Sequence, residues 1–361
     1  MRPSFPYAEF ASVLCRWFAA NQRAMPWRET RDPYRIWLSE IMLQQTQVAT
    51  VIPYYQRFVA RFPTVEALAA APLDDVLKFW AGLGYYSRAR NLHRGAALVV
   101  ERFGGKIPAS PEAIREIPGI GAYTAGAILS IAFDLPEPLV DGNVARVFSR
   151  LMLLKGDWRK GEMKDRLWEL ARELVTTAHA KKTGSPGALN QALMELGATV
   201  CTPKSPDCPH CPLAEFCLAN KNGAQAEYPE SPEKADVPSW ALRAWIVEDS
   251  SGRILLAQRE ASGLFGGLWE VPTELVAMPE KKGAGQKLPV IGKVTHVLSH
   301  RRLNIRIHRV PKTNDPRWKE AAVFPCWSGQ YTNFRWLKPE EIMSGKSVGL
   351  ASVQRKVLAH L

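Results

Sequence analysis

The hydrophobic period changes once along this 361-residue chain, and that change limits the fold more than any other feature. Through the first 225 residues apolar side chains recur at helical spacing. Phe10, Val13, Leu14, Trp17 and Phe18 form one stripe, Leu73, Val76, Leu77 and Trp80 a second, and Met163, Leu167, Leu170 and Leu174 a third. Helix starts are marked by Asp32-Pro33, Thr64 and Ser110-Pro111, where a capping side chain is twice followed by proline at the first helical position. Residues 226–238 (AEYPESPEKADVP) then carry three prolines and no apolar period, as a connector between separately folded units does. Beyond it, residues 242–247 and 253–258 are apolar runs joined by Asp249-Ser250-Ser251-Gly252, which predicts a hairpin. Leu303, Ile305 and Ile307 alternate with polar neighbours as in a half-buried strand, and Val353, Val357, Leu358 and Leu361 predict a closing helix. The expectation is an all-α region followed by a smaller α+β domain.

Composition excludes several classes. With 46% hydrophobic and 23% charged residues the chain has enough apolar surface for packed cores, so intrinsic disorder is not expected. The longest uncharged stretch, residues 117–133, holds three glycines, a proline and a serine, and reads as a buried turn and helix; no membrane association is expected. The N-terminus lacks the basic start and apolar run of a secretory signal, which points to a reducing cytosol. Lys plus Arg exceed Asp plus Glu by 47 to 35, an excess that favours a polyanionic partner. From Trp240 onward there are 19 basic and 10 acidic residues, so nine of the twelve excess charges fall in the last third.

Cys201, Cys208, Cys211 and Cys217 give C-x6-C-x2-C-x5-C, four of six cysteines within seventeen residues. In a reducing compartment so tight a group indicates a metal site rather than disulfides. Thiolates suit zinc or an iron–sulfur cluster, and His210 inside the loop keeps a mixed zinc site open; spacing does not choose. Cys15 and Cys326 are isolated and read as free thiols.

Two further patterns carry chemistry. IPGIG at 117–121 lies between a short helix and a longer one, and its glycines Gly119 and Gly121 let the backbone turn and aim N–H groups outward, a phosphate site without side-chain charge. GLGYY at 82–86 with Arg88 and Arg90 repeats the theme with aromatic and basic residues; the plain reading of either is a helix connection, but together they favour contact with a DNA backbone. Glu40 shares a helix face with Ile36, Leu43 and Gln44, a stripe that would desolvate it and raise its pKa toward that of a general acid. Asp141 stands where it could simply cap the following helix.

Taken together, the hairpin at 117–121, the VDGN segment at 140–143 and the four-cysteine loop resemble the helix–hairpin–helix DNA glycosylases, whose loop of this spacing binds a [4Fe–4S] cluster. PWR at 26–28, WLSEIMLQQTQV at 37–48 and GLGYY at 82–86 resemble the signatures of the MutY family within that superfamily. The resemblance implies a glycosylase region over residues 1–225, with a six-helix subdomain at about 30–135 and a cluster subdomain from 1–29 plus 136–225. A linker at 226–238 and a Nudix-like, MutT-like lesion-recognition domain over 239–361 follow, the latter resting on residues 254–258 and GLFGGLW at 263–269. The Arg-Glu-x-x-Glu-Glu helix of a working Nudix hydrolase is missing after Glu270, so a binding module is expected.

That resemblance implies base-excision repair: flipping out and hydrolytically removing adenine mispaired with 8-oxoguanine or guanine in duplex DNA. It assigns Glu40 as the acid that protonates adenine, Asp141 as the ionised stabiliser of the sugar cation, and Tyr123 and Asn143 as their orienting neighbours. Trp27, Arg28, Leu43 and Gln191 would line the adenine pocket, Gln45 and Tyr85 would wedge beside the 8-oxoguanine, and Gly119 and Gly121 would hold phosphates. Cys201, Cys208, Cys211 and Cys217 would hold one [4Fe–4S] cluster, with Lys204 beside them facing DNA. The related endonuclease III family has a lysine nucleophile where this chain has Tyr123, so a monofunctional enzyme is implied. The family's lesion-reading Phe-Ser-His is Leu298-Ser299-His300 here, which keeps Ser299 and His300 as hydrogen-bonding groups and loses an aromatic. A monomer in the cytoplasm, on the nucleoid if bacterial, is implied. The competing readings are a strand-cleaving lyase or thymine-mismatch glycosylase of the same superfamily, and a non-catalytic lesion sensor.

Overall fold

The structure is a computed structural model that describes residues 5–230, 236–276, 288–298, 300–310, 326–327, 329–344 and 347–361. The chain divides into two compact units, one of Met1–Val59, Thr64–Glu66 and Arg94–Lys234, the other of Ala60–Pro63, Ala67–His93 and Ala235–Leu361.

The first unit is helical. The N-terminal stripe forms Tyr7–Asn21, whose Phe10, Leu14 and Phe18 are buried against Leu167, Leu170 and Leu174 of Gly161–Lys181 and Leu189, Leu193 and Leu196 of Pro186–Thr199. Val144, Val147, Phe148 and Leu151 of Gly142–Met152 complete this core, where truncating Phe148 to alanine would cost about 3–5 kcal/mol. Caps fall where the sequence placed them: Asp32 accepts from Tyr34 N (3.0 Å) ahead of Pro33–Leu43, and Ser110 from Ala113 N (3.3 Å) ahead of Pro111–Ile114. Between Pro111–Ile114 and Ala122–Phe133 the hairpin turns at Gly119 (φ +86°) while Ile117 and Ile120 anchor it in the core. No side chain caps Ala122–Phe133, so its first N–H groups stay open to an anion. Gly197 permits the close approach that builds the site, because a Cβ there would lie 2.6 Å from Asn143 Cβ.

The second unit is α+β. Strands β1 (Ser239–Val247), β4 (Thr273–Leu275), β5 (Val290–Val297) and β6 (Arg302–Val310) form a sheet in the order β4-β1-β6-β5, with β1 and β6 parallel and the other pairs antiparallel. Strands β2 (Ile254–Arg259), β3 (Trp269–Glu270) and β7 (Tyr331–Leu337) form a second, antiparallel sheet in the order β3-β2-β7. The expected alternation in β6 is present, with Leu303, Ile305 and Ile307 buried, and the closing helix is Ser352–Leu358. The expected hairpin of 242–247 with 253–258 is not formed. Asp249 does organise the turn, accepting from Ser251 N (3.0 Å) and Arg253 N (2.9 Å). Yet β1 and β2 then part into different sheets, meeting only at a Glu248–Ile254 bridge. Strand β2 is apolar on both faces and gains more as the middle strand of its own sheet than as one arm of a ribbon. Helix Leu73–Trp80 belongs to this unit, with Gln258 Nε2 donating to Asp74 Oδ1 (2.9 Å).

Among the described residues no helix is long and apolar enough to cross a membrane.

Candidate active site

A cavity of about 630 Å³ in the helical unit is lined by residues from five helices and by Trp27, which is buried, and Arg28. Helix Pro33–Leu43 contributes Glu40, which is 5% exposed and whose carboxyl accepts a 2.6 Å hydrogen bond from Tyr123 Oη on Ala122–Phe133. Burial pushes the Glu40 carboxyl up to about 7; the charge of Asp141 adds to this, while the Tyr123 hydrogen bond and Arg28 oppose it. Tyr123, half-buried and with its hydroxyl 3.3 Å from Met194 Sδ, has its phenol held well above its ordinary value by the burial of that group and the two carboxyls.

Asp141 is the N-cap of Gly142–Met152, so the plain structural role foreseen for it is present. Its Oδ1 accepts from Asn143 N (2.9 Å) and Val144 N (2.8 Å), and its Oδ2 from Asn143 Nδ2 (2.9 Å). It also faces the same cavity as Glu40. Burial raises its pKa, against which these donors and Arg146 act. Asn143 is fixed in turn by Arg146 Nη2 (2.8 Å), whose Nε reaches Cys201 O (2.7 Å). Two carboxyl groups therefore meet one cavity in different surroundings, Glu40 with one donor and Asp141 with three.

Leu43 and Gln191, expected around the adenine, line this cavity; Gln45, expected instead beside the opposing base, lines it too, at φ +56°. Tyr85 does not; it borders a cavity of about 400 Å³ in the second unit, with Leu298 and His300. Ser299 lies outside the described residues. Sequence reasoning missed Glu195, which is 1% exposed on the cavity wall and accepts from Arg23 Nε (2.7 Å), Arg23 Nη2 (2.9 Å) and Arg28 Nη2 (2.9 Å). Burial alone would raise its pKa, yet the two arginines hold it down at about 2. Its only signal was a glutamate one helical turn after Gln191 in an apolar helix.

Cys201, Cys208, Cys211 and Cys217 line one small cavity with Arg150 and Gln225. Arg150 Nη1 donates toward Cys201 Sγ (3.3 Å) and Gln225 Nε2 toward Cys208 Sγ (3.6 Å). Burial pushes the Cys211 thiol up to about 12. His210 turns to solvent and pairs with Asp207 (2.9 Å), so it is not part of the four-thiol group. Among the described residues no three His, Cys, Asp or Glu side chains are gathered tightly enough to hold a single ion.

Residues 38–173 match the family model described as HhH-GPD superfamily base excision DNA repair protein, and residues 243–360 match a NUDIX domain. Fold and site thus define a helix–hairpin–helix base-excision repair enzyme with a NUDIX domain. The chain is 37% identical over 381 residues to the adenine DNA glycosylase of Rattus norvegicus, covering 85% of this chain and 73% of the relative. It is 40% identical over 255 residues to the adenine DNA glycosylase of Buchnera aphidicola subsp. Schizaphis graminum, covering 68% and 72%. The solved structure of a thermostable thymine-DNA glycosylase is similar at a TM-score of 0.53 and 30% identity, over 60% of this chain and 97% of that one. This chain belongs to the adenine DNA glycosylase family.

Proposed function

We propose that this enzyme excises adenine paired with 8-oxoguanine or guanine in duplex DNA and leaves the strand intact. The observation that carries the reading is the placement of Glu40, hydrogen-bonded by Tyr123 and raised to about 7, beside the ionisable Asp141 on one cavity.

An adenine inside a duplex is out of reach, so it is turned out into the 630 Å³ cavity, where Trp27, Arg28, Leu43 and Gln191 would surround it. Glu40, half-protonated near neutrality, gives its proton to adenine N7, which makes the base a neutral leaving group as the glycosidic bond breaks. The electron pair of that bond goes to the base, and Asp141, steadied by Asn143, faces the positive charge left on the sugar. Water then adds to C1′ and loses a proton to the Glu40 carboxylate. Tyr123 offers no amine for a Schiff base, so the product is an intact abasic strand. Gly119 and Gly121 hold phosphate through N–H groups, and Gln45, Tyr85, Ser299 and His300 meet the opposing base.

The four thiols line one cavity with His210 turned away, and since their spacing resembles the [4Fe–4S]-binding run of the helix–hairpin–helix glycosylases, they would hold one such cluster. When bound it would brace the loop that presents Lys204 to DNA. We further infer functional parts at 1–225 and 239–361, the latter a binding module, in a monomer acting in the cytoplasm. The test is a single-turnover assay on end-labelled duplexes carrying A opposite 8-oxoguanine, A opposite G, or T opposite G, with and without hot alkali. Breaks only after alkali, fastest for A opposite 8-oxoguanine, support the reading; breaks without alkali, or activity confined to T opposite G, overturn it.

A further inference from the structure

Among the described residues six that are not glycine have positive φ: Gln45, Tyr85, Asp134, Leu153, Lys182 and Phe265. Asp134, Leu153 and Lys182 terminate helices in the left-handed conformation, which accounts for them. The other three sit on cavity walls, Gln45 on the first cavity and Tyr85 (φ +48°) and Phe265 (φ +57°) on the second. Left-handed backbone is costly for an aromatic residue and persists where the surroundings over-determine it, typically at ligand clamps.

The loop bearing Phe265 is over-determined in this sense. Gly266 O accepts from Arg90 Nη1 (2.6 Å), and Gly267 N donates to Glu260 O (2.9 Å). A Cβ at position 266 would meet Ser262 O at 2.5 Å, so the chain packs too closely there to shift. The Phe265 ring is half-buried, meets Trp327 edge-on (6.2 Å) and borders the cavity together with Tyr85, Leu298 and His300. Leu298 brings only an aliphatic surface to that wall.

We propose that Phe265 is a specificity-determining residue of this cavity, supplying with Tyr85 the aromatic surface that packs on the base opposite the target adenine. The inference rests on the reading that the enzyme distinguishes 8-oxoguanine from guanine opposite adenine. The ring, held in place by the loop, offers contact area with little ordering cost on binding.

The test uses the full-length enzyme with Phe265→Gly, which deletes the ring at a position where glycine is conformationally at ease, and Phe265→Tyr, which keeps it. Binding is measured on duplexes with non-cleavable 2′-fluoro-deoxyadenosine opposite 8-oxoguanine or guanine, after thermal unfolding has confirmed that each variant is folded. F265G is expected to weaken the 8-oxoguanine duplex about tenfold and the guanine duplex about twofold, with F265Y within about twofold of the native enzyme on both. Equal losses on the two duplexes, or a native preference left intact by F265G, overturn the inference alone. A native enzyme without preference between the duplexes overturns both the inference and the reading beneath it.

Discussion

The helical unit and the β unit each bury a glutamate almost completely, and they use it in opposite ways. Glu40 is 5% exposed beside an open cavity, with a single tyrosine hydroxyl donating to it. Glu270 is 1% exposed and accepts from Arg259 Nη1 (3.0 Å), Tyr331 Oη (2.7 Å) and Trp327 Nε1 (3.2 Å). Burial raises both carboxyls above the usual range, and at Glu270 Arg259, Tyr331 and Trp327 act against it. Without a salt bridge Glu40 holds its proton up to neutral pH and can give it away; Glu270, tied to a guanidinium and three further donors, Gln354 Nε2 (3.4 Å) among them, fastens β2 and β3 to Tyr331. Glu195 differs from both inside the first cavity, where two arginines outweigh burial and make it a fixed anion.

This contrast is open to direct attack. Glu40→Gln should lower adenine release by about 10³-fold while duplex binding survives, since a positioned general acid contributes about 10²–10⁴; substantial residual turnover would remove Glu40 from its role. Asp141→Asn, which can still cap the helix, should cost about a hundredfold in the same assay, and an unchanged rate would reduce Asp141 to its capping function. Glu270→Gln should do the reverse, costing about 3 kcal/mol in urea unfolding by stranding Arg259, with its chief effect on stability rather than on rate. A rate loss exceeding the stability loss would break the comparison.

The stability of Glu40→Gln sharpens it further. A carboxyl raised from 4.5 to about 7 keeps its proton in the folded chain where the unfolded chain has lost it, so native stability falls as pH rises from about 4.5 to 7 and is level beyond. The variant carries no such penalty and should be more stable than native by about 3 kcal/mol at pH 8, with the gain vanishing near pH 4. Smallest is Tyr123→Phe. Its lost hydrogen bond had favoured the Glu40 carboxylate, so the pH at which activity declines should move upward by less than one unit; a downward move would contradict the assigned donor.

Much of this was legible in the sequence because it rests on local rules. The stripe of Ile36, Glu40, Leu43 and Gln44 on one helix face gave Glu40 its desolvated setting, and Gly-x-Gly at 119–121 gave the hairpin its turn. What failed to show depended on distant pairing. The turn chemistry of 249–252 was real, but no local signal says that β1 would take β6 as its parallel partner and leave β2 to another sheet. Glu195 was invisible because its arginines come from about 170 positions earlier.

The most direct test of the account is the pH dependence of single-turnover adenine release from a duplex with A opposite 8-oxoguanine. If the buried, cavity-facing Glu40 is the proton donor, the rate should fall about tenfold per pH unit above a midpoint near 7, and fall again at acid pH where Asp141 takes up a proton. A rate that stays level to pH 9, or falls with a midpoint near 4.5 as an ordinary exposed glutamate would dictate, contradicts it.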